Sequence, residues 1–277
     1  MTSQDTTSDD AASDAAGGGD ADVRAAVTAA VLVIGDEILS GRTKDSNSGH
    51  IAERLAALGV DLREIRVVGD GTAEIAGALN ALRARYDYVL TTGGIGPTHD
   101  DVTADAVALA FEAEISEDPR AIAMLLERIR PEDLNEARRR MARIPHGAAL
   151  IENDVSKAPG FWIGNVICMA GVPAVMKAML ERVAPRLERG APSRARAIAA
   201  GAIPEGAYAA GLREIAGAYP QVSIGSYPSF RNDSFHNEIV ARGKDEATLA
   251  AAAAAIEGLL ERLRAAGADG LARTAQE

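Results

Sequence analysis

Three strand-like runs, each closed by glycine and carboxylate and each separated from the next by a stretch of helical period, restrict this chain to few architectures. The first, AAVLVIGDE at Ala29 to Glu37, is apolar on successive residues and not on alternate ones, the mark of a strand covered on both faces. Between Ser46 or Asn47, either of which can cap a helix, and Gly59, which ends it, Ile51, Leu55 and Leu58 recur at helical spacing. A second strand, Arg63 to Val68, runs into Gly69 to Thr72, and a helix follows with Ile75, Leu79 and Leu82 on one face. The third run, Tyr88 to Leu90, enters TTGGIGPTHDD. Strands alternating with helices specify a parallel sheet with right-handed crossovers, and such sheets bind ligands beyond the carboxyl ends of their strands. All three ends carry Gly and Asp, which single turns also favour. Their arrival at one sheet edge makes a site the better reading.

The third end is the most specific. Gly93, Gly94, Gly96 and Pro97 remove side-chain bulk where the strand stops, so backbone amides can approach a ligand. A helix beginning near Thr98 or Asp100 adds about 0.3–1 kcal/mol per charge in favour of an anion. A phosphate suits that place, yet Asp100 and Asp101 repel it. At ~4 Å and an effective dielectric of ~20, each carboxylate–phosphate contact costs about 4 kcal/mol, more than the helix end returns. A divalent cation between them, most simply Mg2+, resolves the conflict.

The 277 residues are 47% hydrophobic and 25% charged, enough for a large domain and a small one. A net charge of -11 and a pI near 5.0 oppose nucleic-acid and anionic-membrane partners. The two basic runs, Arg128 to Arg130 and Ala137 to Arg143, adjoin Glu132, Asp133 and Glu136 and read as solvated, salt-bridged faces. Cys168, the single cysteine, lies between Ile167 and Met169 and reads as core; the four histidines have no metal-binding spacing. No apolar stretch reaches membrane-spanning length and no signal-peptide pattern opens the chain, so a cytoplasmic location is expected.

Residues 1 to 27 read as a disordered acidic tail, 28–190 as the α/β domain, and 191–277 as a small α+β domain ending in a long Ala-rich helix. Helices are expected at about Arg120 to Arg130, Glu132 to Arg143 and from Gly171-Val172-Pro173 through Leu187, with strands at Ala149 to Glu152 and Trp162 to Met169, the latter foldable as a hairpin. APSRAR after Gly190 reads as a linker. The remainder predicts strand, helix, two strands and helix, with a Ser226-Tyr227-Pro228 turn and an Arg231 to Asp233 loop.

VLVIGDEILSGRTKDSN at Val31 to Asn47, TTGGIGPTHDDVTADAV at Thr91 to Val107, KAPGFW at Lys157 to Trp162 and MAGVPAVMKAML at Met169 to Leu180 resemble the molybdopterin-binding domain family, within it the competence/damage-inducible protein A (CinA) group. The resemblance spans about Thr28 to Leu187, and the small domain is similar to the module that follows in CinA-type chains. It implies a three-layer α/β/α fold with a mostly parallel sheet that binds a pterin phosphate, such as molybdopterin, or an adenine nucleotide. It also implies metal-dependent chemistry on adenylylated phosphates: ADP-ribose pyrophosphatase activity for CinA-type domains, or adenylyl transfer in molybdenum cofactor biosynthesis. A non-catalytic pterin or nucleotide carrier remains a third option. Carried onto matching positions, Thr92, Gly93, Gly94, Gly96, Pro97 and Thr98 bind phosphate. Asp70 and Asp101 are the catalytic carboxylates, and Asp100 and Asp101 the metal pair. Gly35, Asp36, Glu37, Asp45 and Asn47 line the first strand end, Gly171 and Pro173 close the site, and a homo-oligomer, dimer or trimer, is implied. Two departures stand out: Gly35-Asp36-Glu37 replaces the usual GTE, and Ala170 and Val175 replace Pro and Glu in the loop usually written PGVPxEM. The amidohydrolase domain that follows in full-length CinA proteins is not expected here.

Overall fold

A computed structural model describes residues 26–231 and 234–267. The larger part runs β1 (Val27–Ile34), α1 (Asp36–Leu39), α2 (Asn47–Ala57), β2 (Val60–Val68), α3 (Thr72–Arg83), β3 (Tyr88–Thr92), α4 (Thr103–Phe111), β4 (Ile115–Glu117), α5 (Pro119–Leu126), α6 (Glu136–Arg140), β5 (Arg143–Pro145), β6 (Ala149–Ile151), β7 (Gly160–Ile163), β8 (Val166–Met169) and α7 (Pro173–Val183). The smaller part adds β9 (Arg194–Gly201), α8 (Glu205–Ala218), β10 (Ser223–Tyr227), β11 (Phe230–Arg231), β12 (Ser234–Phe235), β13 (Asn237–Gly243) and α9 (Glu246–Ala265).

Six strands form one sheet in the order β2-β1-β3-β8-β7-β6, parallel from β2 to β8 and antiparallel through β7 and β6. β1 alternates its side chains between two cores. Val27, Ala29, Val31 and Val33 face α2 and α7, whereas Ala30, Leu32 and Ile34 face α3 and α4. A fully buried leucine such as Leu32 stabilises the fold by about 1.5–3 kcal/mol, which is why a continuous apolar run persists as a central strand. The chain leaves β1 toward β2 on one side, and leaves β3 toward β8 on the other. The reversal falls between β1 and β3, whose carboxyl ends therefore flank a crevice.

In the smaller part the antiparallel sheet β10-β13-β9 packs α8 and α9 around Ile198, Tyr208, Ile239, Leu249 and Ile256, the expected α+β arrangement. Strand β9 begins at Arg194, inside the segment read as a linker. Ser226 and Tyr227 belong to strand β10 and not to a turn. The Arg231 to Asp233 loop and the acidic tail fall largely outside the described residues.

Three boundaries differ from expectation. The segment Glu132 to Arg143 is a 3-10 turn, a five-residue helix capped by Asn135, and a strand: Arg143 pairs with Glu117 in a β4-β5 ribbon that no periodicity marked. Helix α7 ends at Val183, two residues before Pro185, whose ring cannot continue it. Most relevant to the site, α4 starts at Thr103 and not near Thr98 or Asp100.

Candidate functional site

The three carboxyl ends converge as the chain order required. The Gly35 N–H donates to the Val68 carbonyl at 3.1 Å, and the Asp36 N–H donates to Asp70 Oδ2 at 3.0 Å, which ties the ends of β1 and β2 together. Glu37 folds its carboxylate back over Gly35. Between β1 and β3 the backbones nearly touch. Gly93 has φ +110°, and a Cβ built there lies far inside 3.0 Å of the Ile34 carbonyl oxygen; Gly94 has φ +66°, and its Cβ would strike Thr103 Oγ1. Only glycine fits both positions.

Asp101 explains the late helix start. Its Oδ1 accepts from the Gly96 N–H at 2.6 Å, and its Oδ2 accepts from the Thr98 N–H at 2.8 Å and the Thr98 hydroxyl at 2.5 Å. The Thr103 N–H returns to the Gly94 carbonyl at 3.0 Å, and the Thr103 hydroxyl donates to the Gly93 carbonyl at 3.0 Å. Residues 94–101 are thus a self-bonded loop, and Asp101 braces it. Three of the roughly four lone-pair directions of that carboxylate are taken. Arg140 adds a brace that sequence reasoning missed: its guanidinium donates to the Asp101 carbonyl at 3.1 and 3.3 Å, while Arg143 grips Asp105 through both oxygens at 3.0 and 2.6 Å. The basic run is salt-bridged, and within it Arg140 bonds the glycine loop while Arg143 bonds the helix that follows it.

On the other side of β3, Asn47 is buried at the start of α2. Its Nδ2 donates to Thr92 Oγ1 at 2.7 Å and to the Gly171 carbonyl at 2.8 Å, and Thr92 Oγ1 donates on to the Ala170 carbonyl at 3.1 Å. Asp45 accepts from the Asn47 and Ser48 N–H groups at 2.9 and 3.2 Å, so it shapes the helix start. Asn47 Oδ1 is buried without a hydrogen-bond partner, at a cost of about 1–3 kcal/mol, and the residue borders a small pocket with Glu37, Lys44, Thr92, Gly171 and Pro173.

Electrostatically the crevice mouth is acidic. Burial pushes the half-buried Asp70 carboxyl above its ordinary range, and the charges of Asp36, Glu37 and Asp100 push it further, against the Asp36 N–H that lowers it. Asp100 is exposed, and the Thr98 hydroxyl that it shares with Asp101 draws its carboxyl below the usual range. Hard carboxylate oxygens crowded around Asp70 suit Mg2+, but among the described residues no three His, Cys, Asp or Glu side chains converge to hold an ion alone. A cation at this mouth would have to draw further ligands from water or from a bound anion. Cys168 is fully buried and its thiol is pushed up to about 12, consistent with a core residue. No helix of the described residues is long and apolar enough to cross a membrane.

A mostly parallel α/β sheet with a glycine loop at its β1/β3 reversal has its crevice where open sheets of this class bind ligands. Residues 30–189 match the family model described as a probable molybdopterin binding domain, more than half of the chain, and the chain belongs to that family. Residues 199–266 match the middle domain of FAD synthase, a likeness the sequence reading did not anticipate. A CinA-like protein of Desulfosudis oleivorans is 41% identical over 169 residues, covering 58% of this chain and 40% of that protein. A probable FAD synthase of Caenorhabditis elegans is 32% identical over 261 residues, covering 84% of this chain and 50% of the relative. The chain therefore spans half or less of either relative. The crystal structure of a CinA protein from Thermoplasma acidophilum superposes with a TM-score of 0.56 at 36% identity, covering 58% of this chain and 98% of that one.

Proposed function

We propose that this CinA-like molybdopterin-binding-domain protein is a divalent-cation-dependent pyrophosphatase of ADP-ribose-like dinucleotides, with the phosphates lying across the β1/β3 crevice. The observation that carries the reading is the half-buried Asp70, crowded by Asp36, Glu37 and Asp100 at the mouth of a glycine loop. Such a set is poorly placed for a bare phosphate and well placed for a phosphate with a cation. Asp70 and Asp100 would hold the Mg2+, which supplies neutralising charge on the phosphate oxygens. The remaining roles fall to the chain. The loop at Gly93 and Gly94 brings backbone close to a phosphate, and Asp101, with Arg140 behind it, keeps that loop in shape. Lys44 offers a cationic contact in the adjoining pocket, which Asn47 borders.

The FAD synthase likeness supports the same substrate chemistry, since FAD and ADP-ribose both join an AMP unit to a second phosphate through a phosphoanhydride. One observation favours a second reading, a pterin or nucleotide binder without catalysis: Asp101 spends its carboxylate inside the loop. Titration calorimetry with ADP-ribose, FAD and a pterin phosphate, with and without Mg2+, separates the two. The pyrophosphatase reading expects Mg2+ to strengthen dinucleotide binding, and Asp70→Asn to abolish that gain. Equal affinity with and without the cation supports the binder.

A further inference from the structure

Strand β2 is the outer strand of the six-stranded sheet, with β1 its only neighbour among the described residues. The Val68 carbonyl accepts from Gly35 on β1, so residues of the same parity, Glu64 and Arg66, aim their backbone groups inward. Ile65 and Val67 aim theirs at the open edge. A shift of register, Ala29 opposite Leu62 but Ala30 opposite Glu64, inserts Arg63 as an extra residue. The shift reverses the faces of the strand. Ile65 and Val67 come beside Val31 and Val33 on the α2 side, but stay 50% and 36% exposed, with Leu39 of α1 59% exposed near the strand end. On the opposite face Arg66 donates to Glu64 Oε1 at 3.0 and 2.6 Å, and the Tyr86 hydroxyl donates to Glu64 Oε2 at 2.9 Å.

An open edge centred on two exposed β-branched residues invites pairing. We infer that a second copy of this chain covers it, β2 pairing antiparallel with itself about a two-fold axis through Ile65. Charge and hydrogen-bond parity select this register. With the axis at Ile65, the two central residues exchange both backbone hydrogen bonds. Glu64 then faces Arg66 of the partner subunit in the adjoining non-hydrogen-bonded pair, where side chains lie closest. Arg63 lays its stem against Val67 of the partner subunit. Moving the axis to Glu64 or to Arg66 sets like charges opposite each other.

Sedimentation equilibrium of the full chain tests the pairing. The parent is expected as two copies of the 28.7 kDa chain. Glu64→Arg sets arginine opposite arginine across the axis and Arg66→Glu sets glutamate opposite glutamate, so each alone is expected as a single copy. An equimolar mixture restores both unlike pairs across the axis and is expected to form a mixed dimer. Neither variant retains the internal Glu64–Arg66 pair, so rescue on mixing arises only between chains. Ile65→Lys, an exposed change, is expected to leave the far-ultraviolet dichroism unchanged and the chain single, and it carries the test if a charge variant does not fold. A single-copy or trimeric parent, single variants that stay dimeric, or a mixture that stays single overturns the pairing.

Discussion

Gly93→Ala probes the closest approach in the site, the contact between the end of β3 and β1. The alanine Cβ has two separate costs. A residue with a side chain at φ +110° is disfavoured by about 1–2 kcal/mol. The overlap with the Ile34 carbonyl oxygen, which is backbone and cannot swing aside, adds about 1–3 kcal/mol as the strands are forced apart. Moving Gly93 also strains its N–H bond to the Met169 carbonyl, 3.2 Å, and the Thr103 bond to its own carbonyl, 3.0 Å. The sum is a loss of roughly 2–5 kcal/mol, or roughly 4–20 °C in Tm for a domain of this size. Two controls isolate the terms by urea unfolding. Gly41 also has a positive φ, +74°, but its Cβ would meet nothing, so Gly41→Ala should lose only the conformational ~1–2 kcal/mol. Gly77 lies within α3 with open space around it, and Gly77→Ala should gain up to about 1 kcal/mol. If Gly93→Ala unfolds with the same free energy as Gly41→Ala, the close approach costs nothing and the reasoning fails.

Asp70→Asn should stabilise the fold at neutral pH while removing activity. The folded-state pKa of Asp70 is raised, so its favourable contribution exists at low pH and is lost as the pH rises through the folded pKa. The gain in Tm from the amide should therefore be present at pH 7 and fade below the ordinary aspartate range, as thermal unfolding across pH 3 to 8 will record; no gain at pH 7 contradicts the crowding. Asp101→Asn replaces an acceptor of three loop hydrogen bonds with a group that accepts on one side only, and it should loosen residues 94–101, read as faster amide exchange at Gly96 and Thr98. Unchanged exchange argues that Asp101 is not the brace. Cys168 should resist a thiol reagent at pH 8 and react only at the rate of unfolding; immediate labelling of the native chain contradicts its burial.

The fold was legible where burial dictated pattern. Val31 to Ile34 and Tyr88 to Leu90 are apolar without a break because helices cover both faces, and the glycines after them mark where strands end and backbones meet. The convergence of Asp36, Asp70 and Gly93 followed from strand order alone. What the sequence hid was tertiary. The start of α4 was misplaced because Thr98 and Asp100 look like helix openers, whereas Asp101 captures the Gly96 and Thr98 N–H groups and delays the helix to Thr103. The reach of Arg140 to the loop depends on the β4-β5 ribbon that carries α6 back to the site, and three-residue strands leave no periodic trace. The extra residue at Arg63 is invisible as well, since a bulge changes facing without changing composition.

The proposal that the crevice cleaves a phosphoanhydride is tested most directly by incubating the full chain with ADP-ribose and Mg2+ and separating the nucleotides by ion-exchange chromatography. Equal amounts of AMP and ribose 5-phosphate are predicted, abolished by EDTA and by Asp70→Asn. ADP-ribose that remains intact with Mg2+, Mn2+ and Co2+ alike, while still binding the chain, contradicts it.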